Sequence, residues 1–298
     1  MGKQIEYYNR YSKRVEIEPV YGEKFLKLLY NSRFGNLTLR FLVKRKMFSA
    51  IWGNIMRRPY SKKYILPFVR KYHINTDILD QRVDTFKTFD EFFSRKLRTS
   101  ARPIVTWPGT VVFPCDGRHL LIQNPKNLPD FFIKGQTFDL EALLLNKDLA
   151  KEFKNGQIVI SRLAPIDYHR FHFPCDATIK KIYKINGDYK SVNPIATKKN
   201  IKIFFENKRI VSVMHSDEIG NFLMVEVGAT GVGSIHQTAK AGVAYKKGDE
   251  KGYFSFGGST IITIFQNNHI RFAEDLKRAS ASGMEMFALM GDDLGRKI

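Results

Sequence analysis

Apolar residues along this chain change their spacing near Pro108. Beyond it they come in short runs, VVFPCDGRHLLI, GQIVISRLAPIDYHRFHFPCDATIKKIYKI, IKIFFENKRIVSVMH, NFLMVEVGATGVGSI and GYFSFGGSTIITIF, punctuated by Gly, Asn, Asp or Pro. β-Branched and aromatic residues dominate these runs, and the pattern predicts a β-rich domain. The stretch after Gly258 reads as a buried strand. KGQTFDLEALL predicts a turn into a short helix, and RFAEDLKRASASGMEMFALMGDDLGRKI predicts a closing helix or loop after the last strand. Two runs share the phrase FPCD, which reads either as duplicated β units or as coincidence. No Ser/Gly linker divides the region, so one domain is expected.

Before Pro108 the spacing is helical. From Lys24 to Thr76 there is no Asp or Glu, while Lys and Arg recur among Phe25, Leu28, Leu29, Phe41, Trp52, Tyr60, Tyr64 and Phe68. Helices are expected, broken near Asn31–Gly35 and at Pro59 and Pro67. TFKTFDEFFSRKLRTSARPI predicts a short helix from about Asp90 that runs into a basic loop. The fold class is therefore α+β: a β-rich domain, residues 89–298, preceded by a basic, mostly helical N-terminal region, residues 1–88.

Composition sharpens this only in part. With 298 residues, 43% of them hydrophobic, the chain can bury a real core. Its formal net charge of +20 favours a polyanionic partner: nucleic acid, an anionic membrane surface or an acidic substrate. The basic interval with its aromatics suits either a lipid headgroup layer or a helical cap packed on the main core. The two cysteines, Cys115 and Cys175, have no zinc-like spacing and suit a reducing compartment. MGKQIEYYNRYSKRVEIEP lacks the apolar core of a signal peptide, and no apolar run approaches a membrane span.

The candidate chemistry lies in two stretches. Gly257-Gly258-Ser259-Thr260 stands directly against the aliphatic run, as a plain turn or as something chemically used. DYHRFHFPCD sets His169 and His172 three apart between prolines, without the further ligands that a metal site needs. With Asp116 and Ser259 these histidines supply the types for an activated nucleophile: a base, its orienter and an attacker. A serine hydrolase would use the same types on an intact chain, and a nucleic-acid-binding protein would use the charge. The GxSxG elbow and the common nucleic-acid signatures are both absent.

The ordered set FFSRKL, FPCDG, KGQTFDLEALL, RLAPIDYHRFHFP, VEVGATGVGSI and KKGDEKGYFSFGGSTIITIF, from about Phe89 to Phe265, closely resembles the phosphatidylserine decarboxylases. The resemblance implies a proenzyme that cuts itself between Gly258 and Ser259 into a β chain, 1–258, and an α chain, 259–298, and turns Ser259 into a pyruvoyl cofactor. Carried over by motif, the self-cleavage triad is Asp116, His172 and Ser259, and His169 serves decarboxylation. The pyruvoyl group would form a Schiff base with the lipid's serine amine and need no metal. The implied partners are phosphatidylserine, an anionic membrane surface, the chain's own two fragments and a further copy of itself, with no nucleic acid. A peripheral place on the cytoplasmic face of the membrane follows. Two details depart from the family pattern: Gly257 stands where an aliphatic residue is common, and an NER-like phrase reads Glu206-Asn207-Lys208-Arg209.

Overall fold

The computed structural model describes residues 5–18, 53–126, 128–132, 136–229, 234–257 and 259–298. Residues 24–52 of the acid-free interval, and Gly258, lie outside them.

Sixteen strands carry the fold among the described residues. In chain order they are β1 (Glu6–Asn9), β2 (Arg14–Ile17), β3 (Thr110–Val112), β4 (Gly117–Ile122), β5 (Gln157–Leu163), β6 (Arg170–His172), β7 (Ala177–Ile185) and β8 (Arg209–Ser216). There follow β9 (Gly220–Gly228), β10 (Ile235–Gln237), β11 (Ala244–Tyr245), β12 (Glu250–Phe254), β13 (Ser259–Phe265), β14 (Ile270–Phe272), β15 (Glu285–Ala288) and β16 (Asp293–Lys297). A ten-stranded sheet runs in the order β11-β7-β8-β9-β13-β5-β4-β15-β1-β2, flanked by two three-stranded sheets, β10-β12-β6 and β14-β16-β3. β13 is antiparallel to β5 on one side and to β9 on the other, so its backbone groups are paired along both edges.

This central place explains the composition of β13, since all seven of its residues are buried. Ile261 and Phe265 enter a core beneath the small sheets, while Ile262 and Ile264 enter a second core on the opposite face. A strand covered on both sides has no solvent face on which to place polar residues. Short helices close the second core, including Leu140–Leu144 in the predicted KGQTFDLEALL turn, with Asp139 accepting the Ala142 N–H as its cap.

The shared FPCD phrase marks a true internal duplication. The Val112 N–H donates to the Pro174 carbonyl and the His172 N–H to the Pro114 carbonyl, both at 2.8 Å. Phe113 N–H donates to the Asp292 carbonyl and Phe173 N–H to that of Asp249, both at 2.9 Å. Met290 N–H donates to Asp116 Oδ1 at 2.9 Å and Lys247 N–H to Asp176 Oδ1 at 2.8 Å. The two halves are thus related by a local two-fold, each aspartate holding the residue before a positive-φ glycine, Gly291 or Gly248.

Two expectations need correction. The segment after β14 is more than a closing helix or loop: helix Glu274–Ala281 returns the chain so that β15 enters the main sheet and β16 a small one. Pro67 does not break a helix, because it stands in the first turn of Ile65–Tyr72, where its missing N–H has no partner to lose. The sequence reading also passed over the β1/β2 hairpin, which pairs in parallel with β15 at the edge of the main sheet.

Candidate active site

Ser259 opens β13, opposite Leu163 of β5 and Gly228 of β9. Its hydroxyl is buried and has no hydrogen-bond partner among the described residues, as is also true of Thr260 and Thr263 further along the strand. A buried hydroxyl without a partner is costly, and such groups gather where chemistry needs them. β12 and β13 belong to different sheets, so the chain leaving β12 through residues 255–257 turns a corner rather than a hairpin within one sheet. Gly257 has φ +148°, a conformation side-chain-bearing residues rarely adopt. Glycine reaches that conformation without the strain a Cβ would bring.

The chain beyond Leu163 leads directly into the histidine segment. Asp167 closes that turn, accepting the Ala164 N–H at 2.6 Å and Arg118 Nη1 at 2.5 and 2.7 Å. Arg95, which is 5% exposed, donates Nη2 to the carbonyls of Ile166 at 2.9 Å and Asp167 at 3.1 Å. His169 Nδ1 faces the Asp167 carbonyl at 2.9 Å and so carries the proton, which leaves Nε2 as a buried lone pair without a partner. Burial and then the Arg95 charge push the imidazole down to about 3. At neutral pH His169 is therefore a proton acceptor, whereas a role as resting donor would need an imidazolium. Phe93 packs over its ring, with centroids 3.8 Å apart.

His172 lies on β6. Its Nδ1 faces the Gly248 carbonyl at 2.9 Å and its Nε2 the Tyr168 hydroxyl at 3.2 Å. Asp116 is engaged by Arg102 Nε at 2.9 and 3.1 Å and by Nη2 at 2.5 Å, besides the Met290 N–H. The expected His172–Asp116 hydrogen bond is thus replaced: the Gly248 carbonyl orients the imidazole, and Asp116 acts on it only through its field. Burial lowers the His172 pKa most, while the Gly248 carbonyl and the charges of Glu250 and Asp116 oppose that shift. Gly117, after Asp116, approaches the backbone so closely that a Cβ there would stand 2.6 Å from the Arg162 carbonyl.

Sequence reasoning missed Arg95, Asp167 and Arg102. FFSRKL and DYH contained the first two, but their partners are backbone carbonyls and an arginine that no local spacing announces.

Comparison with known proteins identifies relatives along nearly the whole chain. The phosphatidylserine decarboxylase family model matches residues 89–295. A phosphatidylserine decarboxylase proenzyme of Chlamydia pneumoniae is 44% identical over 291 residues, covering 98% of this chain and 97% of that protein. The proenzyme of Clostridium kluyveri is 46% identical over 297 residues, 98% of this chain and 99% of its own. That of Fusobacterium nucleatum is 41% identical over 295 residues, 99% and 98% of the two chains. With a family model matched over residues 89–295 and relatives 41%, 44% and 46% identical along almost its whole length, the chain belongs to the phosphatidylserine decarboxylase family.

Proposed function

We propose that this chain decarboxylates phosphatidylserine to phosphatidylethanolamine, using a pyruvoyl group made from Ser259 when the chain cuts itself between Gly258 and Ser259. The observation that carries the reading is the buried, unpartnered Ser259 hydroxyl at the head of a strand held on both edges, behind a glycine corner.

In the cut, Ser259 Oγ adds to the Gly258 carbonyl carbon and the peptide C–N bond breaks, leaving an ester and a free Ser259 amine. Loss of the Ser259 Cα proton then expels the Gly258 carboxylate and leaves dehydroalanine at the head of residues 259–298. Water converts this to the pyruvoyl group and ammonia. His172, neutral and held by the Gly248 carbonyl through Nδ1, takes the serine proton at Nε2, which Tyr168 occupies at rest. Asp116 stabilises the imidazolium so formed. Serine hydrolysis without a cut would leave Gly257 and its corner unexplained.

The pyruvoyl group supplies a carbonyl that takes the substrate amine and accepts the electrons left when carbon dioxide departs. In the occupied site the substrate's carboxylate would offset the burial and the Arg95 charge that hold His169 neutral, so that its Nε2 takes the proton the substrate's ammonium must lose and returns it to the α-carbon after decarboxylation. Phe93 and Arg95 hold that ring in place.

Intact mass measurement tests the reading directly. Mature protein should give residues 1–258 and a blocked fragment 259–298, copurifying because β13 and β15 lie inside the main sheet. A single uncut chain with full activity rules it out.

The membrane belongs to the same proposal. Among the described residues no helix is long and apolar enough to cross a membrane. Tyr60, Tyr64 and Leu66 are exposed beside Lys62 and Lys63, a face suited to an anionic headgroup layer. Neutralising Lys44, Arg45, Lys46, Arg57 or Arg58 should each weaken cosedimentation with phosphatidylserine vesicles about fivefold at low salt. Equal binding to purely phosphatidylcholine vesicles would leave these charges a structural role.

A further inference from the structure

The residues just before the scissile bond are held by a side chain from far away in sequence. Phe256 donates its backbone N–H to Asp90 Oδ1 at 2.6 Å, across 166 positions. Asp90 stands in helix Phe89–Phe93, which is capped at Thr88, where the side chain accepts the Glu91 N–H at 3.1 Å. The Phe256 ring packs on two other residues of that helix, Phe89 at 5.3 Å and Phe93 at 5.1 Å between centroids. Phe93 is also the ring over His169. One short helix thus touches both the chain entering the scissile corner and the histidine segment.

The other carboxylate oxygen of Asp90 faces Arg57 Nε at 3.5 Å. Arg57 belongs to the acid-free basic interval, and its Nη2 donates to Ser234 Oγ at 3.2 Å. Ser234 in turn receives the Ser255 N–H on its carbonyl at 3.0 Å. Arg57 therefore reaches both the acceptor that holds Phe256 and the strand end that holds Ser255, the two residues leading into Gly257 and Gly258.

We propose that Asp90 is a positioning residue for self-cutting, and that Arg57 helps to hold it in that role, so that seating of the basic region on the β domain speeds the cut. The proposal rests on the reading that the cut falls between Gly258 and Ser259. Attack on the Gly258 carbonyl needs the corner to present that carbonyl to Ser259 Oγ, and Gly257 gives the backbone there more freedom than any other residue could. A charged acceptor on the Phe256 N–H removes part of that freedom where glycine adds it. Its partner Arg57 has a side chain 40% exposed and lies at 3.5 Å, so its own contribution is the smaller.

The experiment follows the first-order cut of freshly made precursor on gels, for the parent and for Asp90→Ala, Asp90→Asn and Arg57→Gln. Asp90→Ala should slow the cut on the order of ten- to a hundredfold, the effect of losing one hydrogen bond to a charged group. Asp90→Asn keeps an oxygen acceptor and should recover most of the rate. Arg57→Gln should slow the cut about threefold. Hydrogen exchange is read in parallel on Ser259→Ala precursor, which stays whole: the Phe256 amide should be protected, and Asp90→Ala in that background should release it. A parent that never cuts defeats the reading of the cut itself. A parent that cuts, with Asp90→Ala cutting equally fast or Asp90→Asn as slow as Asp90→Ala, overturns the positioning role. So does a Phe256 amide that exchanges like an open loop in the Ser259→Ala precursor, a readout that holds even where Asp90→Ala fails to fold.

Discussion

Ser259→Ala is expected to leave one uncut chain with no decarboxylase activity. Both losses would have one origin, since in the proposed reaction the hydroxyl is the attacking group of the cut and its carbon skeleton becomes the cofactor. Substitution for a smaller residue removes one buried polar atom without a partner, so the fold should keep or gain stability. Thr263→Ala is the matched control. It removes another unpartnered hydroxyl from the same strand and, by the alternation of a strand, from the same face. That variant should cut normally. Gel mobility and carbon dioxide release on the same samples make the comparison, and a Thr263→Ala chain that also stays whole would assign the effect to the strand rather than to the serine.

The second large effect divides the two histidines. His172→Ala and Asp116→Ala should accumulate precursor, because the base or the charge that stabilises its protonated form is gone. Asp176→Ala gives an internal comparison, since Asp176 caps the equivalent turn in the other half of the duplication and holds the Lys247 N–H as Asp116 holds that of Met290. Because that turn carries the Gly248 carbonyl that orients His172, Asp176→Ala should slow the cut, but less than Asp116→Ala, which also removes the charge beside the imidazole; equal rates would assign Asp116 to its turn alone. His169→Ala should be cut and then turn over about 10²-fold to 10⁴-fold more slowly, the range for loss of a general acid or base. His169→Ala uncut beside His172→Ala cut would reverse the two roles.

What could be read in the sequence, and what could not, follows from the range of each interaction. β13 was legible because a strand buried on both faces must be apolar throughout, and STIITIF is so apart from its hydroxyls. The duplication was visible as FPCD yet undecidable, because its proof is a set of reciprocal backbone bonds between segments sixty positions apart, such as Val112 to Pro174 and His172 to Pro114. β15 and β16 were missed for a different reason. EMFA and DLGRK are too short to show a period, and they become strands only by pairing with distant chain. The β1/β2 hairpin is equally short, and its seat is set by Glu18 just beyond it, whose carboxylate meets Arg162 at 2.6 and 2.9 Å. Arg162 also grips Glu285 at 2.6 and 3.0 Å, joining the first described segment to β15. At the site the residue types were legible and their partners were not. His172 takes its orientation from a carbonyl 76 residues away, where the sequence suggested a carboxylate.

The position of β13 between β5 and β9 also makes the molecule's history matter. The precursor closes its main sheet as a single chain, with every strand tethered to its neighbours and the search independent of concentration. A cut at the head of β13 transfers the middle strand of that sheet to a separate peptide, together with β15 and β16. Once unfolded, such a molecule can reassemble only by encounter of two chains, and the larger chain alone must keep an open gap between β5 and β9, two long strand edges exposed to unintended pairing. The proposed self-cutting would therefore convert a structure that equilibrium can restore into one that persists chiefly because its strands separate slowly.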